Sequence, residues 1–151
     1  MNKKILYQFL VIIIFLSLIT GCKKNTDNIN ELNNNDSSEV INTMKAIING
    51  SEYIINLEDN ETTKSFINIL PKELIMNELN GNEKYIYLDT TLPTNEFNPK
   101  KINAGDVMLY GNNCLVIFYK SFDTTYSYTK IGHIDNLDDL GNRSISVKFE
   151  K

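Results

Sequence analysis

The sequence predicts a mainly β protein: a small closed antiparallel β-barrel of about eight short strands with one or two short helices. Three observations lead there. Short apolar-rich runs are separated by tight-turn signals at Asn49-Gly50, Asn80-Gly81-Asn82 and Gly111-Asn112. The last run alternates, Ile145, Val147 and Phe149 against Ser144, Ser146, Lys148 and Glu150, which is the period of a strand with one dry face and one wet face. Only one substantial stretch carries helical spacing instead.

Taken in order, the chain opens with Lys3 and Lys4, then runs apolar from Ile5 to Ile19 with only Gln8 and Ser17 interrupting. That stretch is short for a bilayer-spanning helix, which needs roughly 20 residues. A charged start, a short apolar core and small residues after it predict a secretory signal peptide over residues 1–21. Leu18-Ile19-Thr20-Gly21-Cys22 resembles a bacterial lipobox. The resemblance implies cleavage after Gly21 and a lipid thioether on the Cys22 sulfur, a reaction that needs a thiol at that position. The expected location is therefore extracytoplasmic, lipid-anchored to the cell membrane or the outer membrane, since acyl chains retain a protein at a bilayer when more than one is attached. The competing reading is a signal anchor with an incidental cysteine, and the abrupt change to Lys23-Lys24 and a polar tract argues against it.

Residues 22–43 then form a predicted tether. Lys23 to Asn42 offers almost no core-forming side chain, so burial cannot offset the entropy of ordering it.

The remaining residues, 44–151, are enough for one core. Met44 to Ile48 and Ser51 to Leu57 flank Asn49-Gly50, a two-residue hairpin turn whose central positions want positive φ. Asp59 or Asn60 is expected to cap a helix, with Glu61 at its positive end. Thr63, Phe66, Ile67 and Leu70 form its apolar stripe and Pro71 stops it. The helix is expected to plug an open end of the barrel. Strands follow at Leu74–Leu79 and Lys84–Asp89, then a long loop from Thr90 to Ala104 carrying Pro93 and Pro99. Asp106–Tyr110 and Asn113–Tyr119 make a second hairpin around Gly111-Asn112. Thr129–Ile134 is a further strand, and Asn136–Gly141 a short helical turn before the last one.

Charge narrows the function. The formal net charge is −4, and from Met44 onward 11 Lys and Arg face 15 Asp and Glu. An acidic domain without a basic run lacks the footprint for neutralising phosphates, so nucleic acid is not an expected partner. His133 is the lone histidine; with no second His or clustered Cys, a satisfied strand residue is preferred over a base or metal ligand. Cys114 has no disulfide partner once Cys22 is acylated, and it reads as a packed strand residue rather than a nucleophile. Glu58 and Asp59 read as a cap, Asp138 and Asp139 as a solvated turn. No phosphate-binding glycine loop or Gly-x-Ser-x-Gly elbow is present. Neither a metal nor a cofactor is expected.

The aromatic residues are unevenly placed. Tyr110, Phe118, Tyr119, Phe122, Tyr126 and Tyr128 fall close together in the chain, interleaved with Asn112, Asn113, Ser121, Thr124 and Thr125. Strand alternation requires some of them to point away from the core. Core packing with exposed tyrosines accounts for them; a shallow recognition surface built from Tyr110, Phe118, Phe122, Tyr126 and Tyr128 does so as well.

Several segments, in order, resemble the cyclophilin-like domains of bacterial proteins, many of them lipoproteins. They are Ile47-Ile48-Asn49-Gly50, Leu57 to Thr62, Glu78 to Tyr85, Ala104 to Gly111, and Phe118 to Phe122 running on to Tyr126–Gly132. The resemblance spans essentially the whole domain and implies an eight-stranded barrel. The prolyl isomerases of this fold share an arginine on a central strand, which hydrogen-bonds near the proline nitrogen and weakens amide resonance. Here the sole arginine is Arg143, just before the last strand, and lysine does not replace a positioned guanidinium. The resemblance thus implies the fold without the isomerase machinery. The expected function is a non-catalytic module holding a proline-containing peptide or a small ligand at the aromatic face. The alternatives are a peptidyl-prolyl isomerase or folding chaperone for exported proteins, and a structural lipoprotein dependent on a partner.

Overall fold

A computed structural model of the protein describes residues 42–70 and 73–151. The predicted signal peptide, Cys22, the tether up to residue 41 and Pro71 lie outside the described residues.

β1 (Thr43–Ile48) and β2 (Ser51–Leu57) form the expected hairpin. Asn49 and Gly50 both take positive φ, 49° and 89°, so the turn twists with its strands. Asn49 also ties this turn to the far end of the chain: its side-chain oxygen accepts from the Ser146 backbone N–H at 3.0 Å.

α1 (Glu61–Ile69) begins where Asn60, in extended backbone, accepts from the Thr63 N–H at 2.8 Å. The cap is therefore Asn60. The expected capping by the Glu58–Asp59 pair is corrected: Asp59 pairs with Lys64 at 3.1 Å and Glu58 with Lys130 at 3.4 Å. The amide of Asn60 suits the cap better because its N–H₂ also donates to the Lys130 carbonyl at 2.8 Å, which a carboxylate cannot do. Thr62, Thr63, Phe66 and Ile67 are the buried face. Phe66 enters the barrel's interior cluster and meets Phe149 edge-on at 5.3 Å, the part expected of a plug.

β3 (Leu74–Leu79) and β4 (Glu83–Tyr87) follow, with Asn80 and Gly81 left-handed between them. β5 (Lys101–Ile102), β6 (Asp106–Tyr110), β7 (Cys114–Phe118), β8 (Phe122–Asp123), β9 (Thr129–Ile134) and β10 (Ile145–Glu150) complete the chain. Eight strands close an antiparallel barrel in the order β1-β10-β3-β4-β7-β6-β9-β2, and β5 and β8 pair separately as a small ribbon. Closure leaves the barrel no free edge.

Two expectations are corrected. The stretch from Thr90 to Ala104 is not one loop: Phe97 bridges Tyr128, and β5 pairs with β8. Segments this short carry too little alternation to be read as strands. Asn136–Gly141 is not a helical turn among the described residues, because Asn136 takes φ 56° and stops helical propagation at once.

The interior core draws alternate residues from every barrel strand, among them Met44, Ala46 and Ile48, Ile55, Met76, Val107 and Leu109, Leu115 and Ile117, and Ile145, Val147 and Phe149. In β9 the alternation slips. Val107 pairs with Gly132 while Met108 pairs with Lys130, so Ile131 is a bulge residue. That bulge lets Ile131 and Ile134, of opposite parity, both face inward. A second, smaller cluster lies on the opposite face of β6 and β7: Ile102, Met108, Cys114, Val116, Phe118 and Tyr128. The β5–β8 ribbon and the segment around Phe97 cover part of that outer face, and the uncovered part is the site.

Candidate functional site

The site is assembled by strand parity. On β4, Glu83, Tyr85 and Tyr87 share the outer face because Lys84 and Ile86 point inward. β4 pairs with β7 so that Tyr85 lies beside Val116 and Tyr87 beside Cys114; β7 pairs with β6 so that Cys114 lies beside Tyr110 and Val116 beside Met108. Two cross-strand rows result, Tyr87–Cys114–Tyr110 and Tyr85–Val116–Met108, with neighbours at the spacing where cross-strand side chains touch.

The segment before β9 supplies the third wall. Tyr128 is held in antiparallel backbone pairing with Phe97, at 2.9 and 3.0 Å. Thr124 Oγ1 accepts from the Tyr126 N–H at 3.1 Å, a local turn that presents the Tyr126 ring. Tyr110 packs edge-on against Tyr126 at 6.1 Å and at a tilt against Tyr128 at 5.6 Å. Tyr85 and Tyr87 form the opposing edge-on pair at 6.0 Å.

These residues line an open recess of about 300 Å³, with Cys114 and Val116 also on its wall. Tyr87 is 64% exposed, Tyr126 61% and Tyr110 45%, whereas Tyr128 is buried. Of the residues singled out in the sequence, Tyr110, Tyr126 and Tyr128 stand on the recess. Phe118, fully buried, and Phe122 lie behind Tyr128, with ring centroids at 5.5 Å from Phe118 to Tyr128 and 5.7 Å from Phe118 to Phe122. They support the site from beneath. Cys22 lies outside the described residues.

Sequence reasoning passed over Glu83, Tyr85 and Tyr87. The alternation Glu83-Lys84-Tyr85-Ile86-Tyr87 is legible, but its two faces look inverted, since a lysine is expected to be wet and tyrosines half-dry. Lys84 is nevertheless fully buried. Its ammonium donates to the Gly141 and Arg143 carbonyls, at 2.5 and 2.9 Å, and sits 4.7 Å from the Tyr119 ring centre.

The electrostatics of the recess are one-sided. Burial, with the nearby Glu78 charge added, raises the pKa of the Glu83 carboxyl. Burial and then Glu83 push the Cys114 thiol up to about 11, so it stays protonated and unreactive at neutral pH. Burial likewise raises the Tyr128 hydroxyl. Among the described residues no lysine or arginine lines the recess, and Arg143 is exposed before β10.

His133 belongs to a different place. Its Nδ1 lies 3.0 Å from the buried Asp106 carboxylate and its Nε2 3.6 Å from Asp135. Asp106 also accepts from the Asn103 N–H at 2.8 Å, so the pair secures the turn into β6. Among the described residues no group of three or more His, Cys, Asp or Glu side chains is placed to hold a metal, and no helix is long and apolar enough to cross a membrane.

The sequence profile described as the cyclophilin-like family matches residues 46–150. No curated protein and no solved structure matches the chain.

Proposed function

The chain belongs to the cyclophilin-like family, and from that premise we propose that its barrel is a non-catalytic binding module. It holds a peptide segment or a small ligand in the tyrosine-lined recess on the outer face of β4, β7 and β6. Lipid on Cys22 tethers it to a membrane on the extracytoplasmic side.

The observation that carries the reading is the recess itself. Tyrosines on two strands and one loop converge on about 300 Å³ of open space, and three of them are left largely uncovered. Large amphipathic rings held in place by strand pairing lose little conformational freedom on binding, which makes them effective recognition groups. The chemistry for turnover is missing from the same walls: the thiol is held protonated and the only arginine is elsewhere. A positioned guanidinium is what an isomerase of this fold uses, so binding without catalysis is preferred.

An NMR titration of the full chain with a mixture of X-Pro peptides tests this reading and its main rival together. Shifts at Tyr85, Tyr110, Tyr126 and their neighbours, without faster cis–trans exchange, are expected. Tyr126→Ala should weaken the interaction about tenfold, the scale of one lost aromatic contact. Accelerated exchange would instead establish an isomerase that works without the arginine. Shifts confined to another face would remove the recess from consideration.

A further inference from the structure

Glu83 is the unusual member of the recess. Its carboxylate is half-buried among Tyr85, Tyr128 and the rest of the wall, and among the described residues no hydrogen bond or ion pair reaches it. Its neighbour Glu78 is different: that carboxylate accepts from the Gly81 N–H at 2.6 Å and faces the Tyr119 hydroxyl at 3.4 Å. Lys84 cannot compensate Glu83, because strand parity sends its ammonium to the other side of the sheet, where two carbonyls hold it. A carboxylate half withdrawn from water without a partner carries a desolvation cost that a cation beside it would offset.

The tyrosines around it present electron-rich faces. The ring quadrupole attracts a cation placed over it within about 6 Å, and the attraction strengthens where water is excluded. Five tyrosines and one uncompensated carboxylate, with no basic side chain on the wall among the described residues, make a surface that repels anions and favours a cation. An organic cation supplies both what the carboxylate lacks and what the rings favour. Resting on the binding-module reading above, we infer that the recess is a site for an organic ammonium group, with Glu83 as counter-ion and Tyr85, Tyr87, Tyr110 and Tyr126 as the aromatic walls. Such a group is carried either by the lysine side chain of a peptide or by a free small quaternary ammonium.

The test compares choline with 3,3-dimethylbutan-1-ol, which has its shape without its charge, and adds N-acetyl-lysine amide, all titrated into the full chain and followed by NMR. Choline or the lysine derivative should shift the recess residues and bind at least tenfold tighter than the neutral alcohol. Whichever of the two binds better identifies the source of the ammonium group. Glu83→Gln should reduce the affinity for the cation about tenfold. Tyr126→Leu, which keeps apolar bulk at an exposed position and removes the ring, should weaken the cation and leave the alcohol unchanged. Equal binding of choline and the alcohol, or a Glu83→Gln variant with full cation affinity, would overturn the cation site while leaving the recess a binding surface. X-Pro peptides shifting the recess while neither cation does would have the same meaning. If no probe, charged or neutral, touched the recess, the binding-module reading would fall with it.

Discussion

At the scale of single residues, Glu83 carries a folding cost that the proposed cation site accounts for. Its pKa is raised in the fold by burial and by the Glu78 charge, with the buried, protonated Cys114 thiol on β7 and neutral tyrosines as its other neighbours. The folded state therefore holds this proton more tightly than the unfolded chain does. The contribution favours folding below the ordinary carboxylate range and is lost as pH rises through the raised value. At neutral pH the ionised group is a net cost, which Glu83→Gln removes. That variant should melt a few degrees higher than the parent at pH 7, and the difference should close as pH falls through the raised value and be gone below the range of an ordinary glutamate. Thermal melts at several pH values read this directly. A variant that gains stability while losing ligand is the behaviour expected of a residue kept for function. An unchanged or lowered melting temperature at pH 7 would mean that Glu83 is compensated in the fold.

At the scale of elements, α1 depends on a few polar contacts as much as on its apolar stripe. Burial of a ring such as Phe66 contributes about 2–3 kcal/mol, but a helix of nine residues is too short to be stable alone. Asn60 caps it and, through Lys130, fastens its first turn to β9. Thr63 adds a bond from its hydroxyl to the Ile131 carbonyl at 3.1 Å, and Thr62 one to Pro93 at 2.7 Å. Asn60→Ala should cost about 1 kcal/mol for the lost cap, plus a further amount for the Lys130 carbonyl left without its donor. Urea denaturation should show a lower midpoint at unchanged slope. Asn60→Asp, which restores the cap acceptor and not the donor, should recover part of the loss.

At the scale of the whole molecule, the barrel closes through several short seams, of which β2–β9 is one. Three residue pairs make it: Ile55 with Ile134, Asn56 with His133, and Leu57 with Gly132. Gly132 is needed there for space. A Cβ at that position would stand 2.5 Å from the Asn56 carbonyl oxygen and 2.7 Å from the Ile55 side chain, and the first of these belongs to a paired backbone that cannot swing aside. Gly132→Ala should therefore destabilise the barrel by about 1–3 kcal/mol, the usual cost of forced overpacking. The measurable consequence is a drop in the urea midpoint, together with faster amide exchange along β2 and β9. The neighbouring bulge at Ile131 lies next to this seam and lets two isoleucines of β9 face inward.

The family, the mainly β class and most of the strands were legible because their signals are local. Asn49-Gly50 can hardly be anything but a turn, Phe66 and Ile67 follow a helical period, and Ile145, Val147 and Phe149 a strand period. The Tyr110, Tyr126 and Tyr128 group was likewise visible, being close in the chain. The opposite wall was not, and the reason is physical. Whether Glu83, Tyr85 and Tyr87 face out depends on where Lys84 finds partners, and those are the carbonyls of Gly141 and Arg143, far away in the chain. The sequence by itself determined where most of the longer strands lie and where they turn, since neighbours within a few residues settle those matters. Only the tertiary structure decided which faces meet. Strand order and register brought an unpaired carboxylate and two tyrosines of β4 opposite the tyrosines of β6 and the loop before β9, a pairing that no local energy specifies.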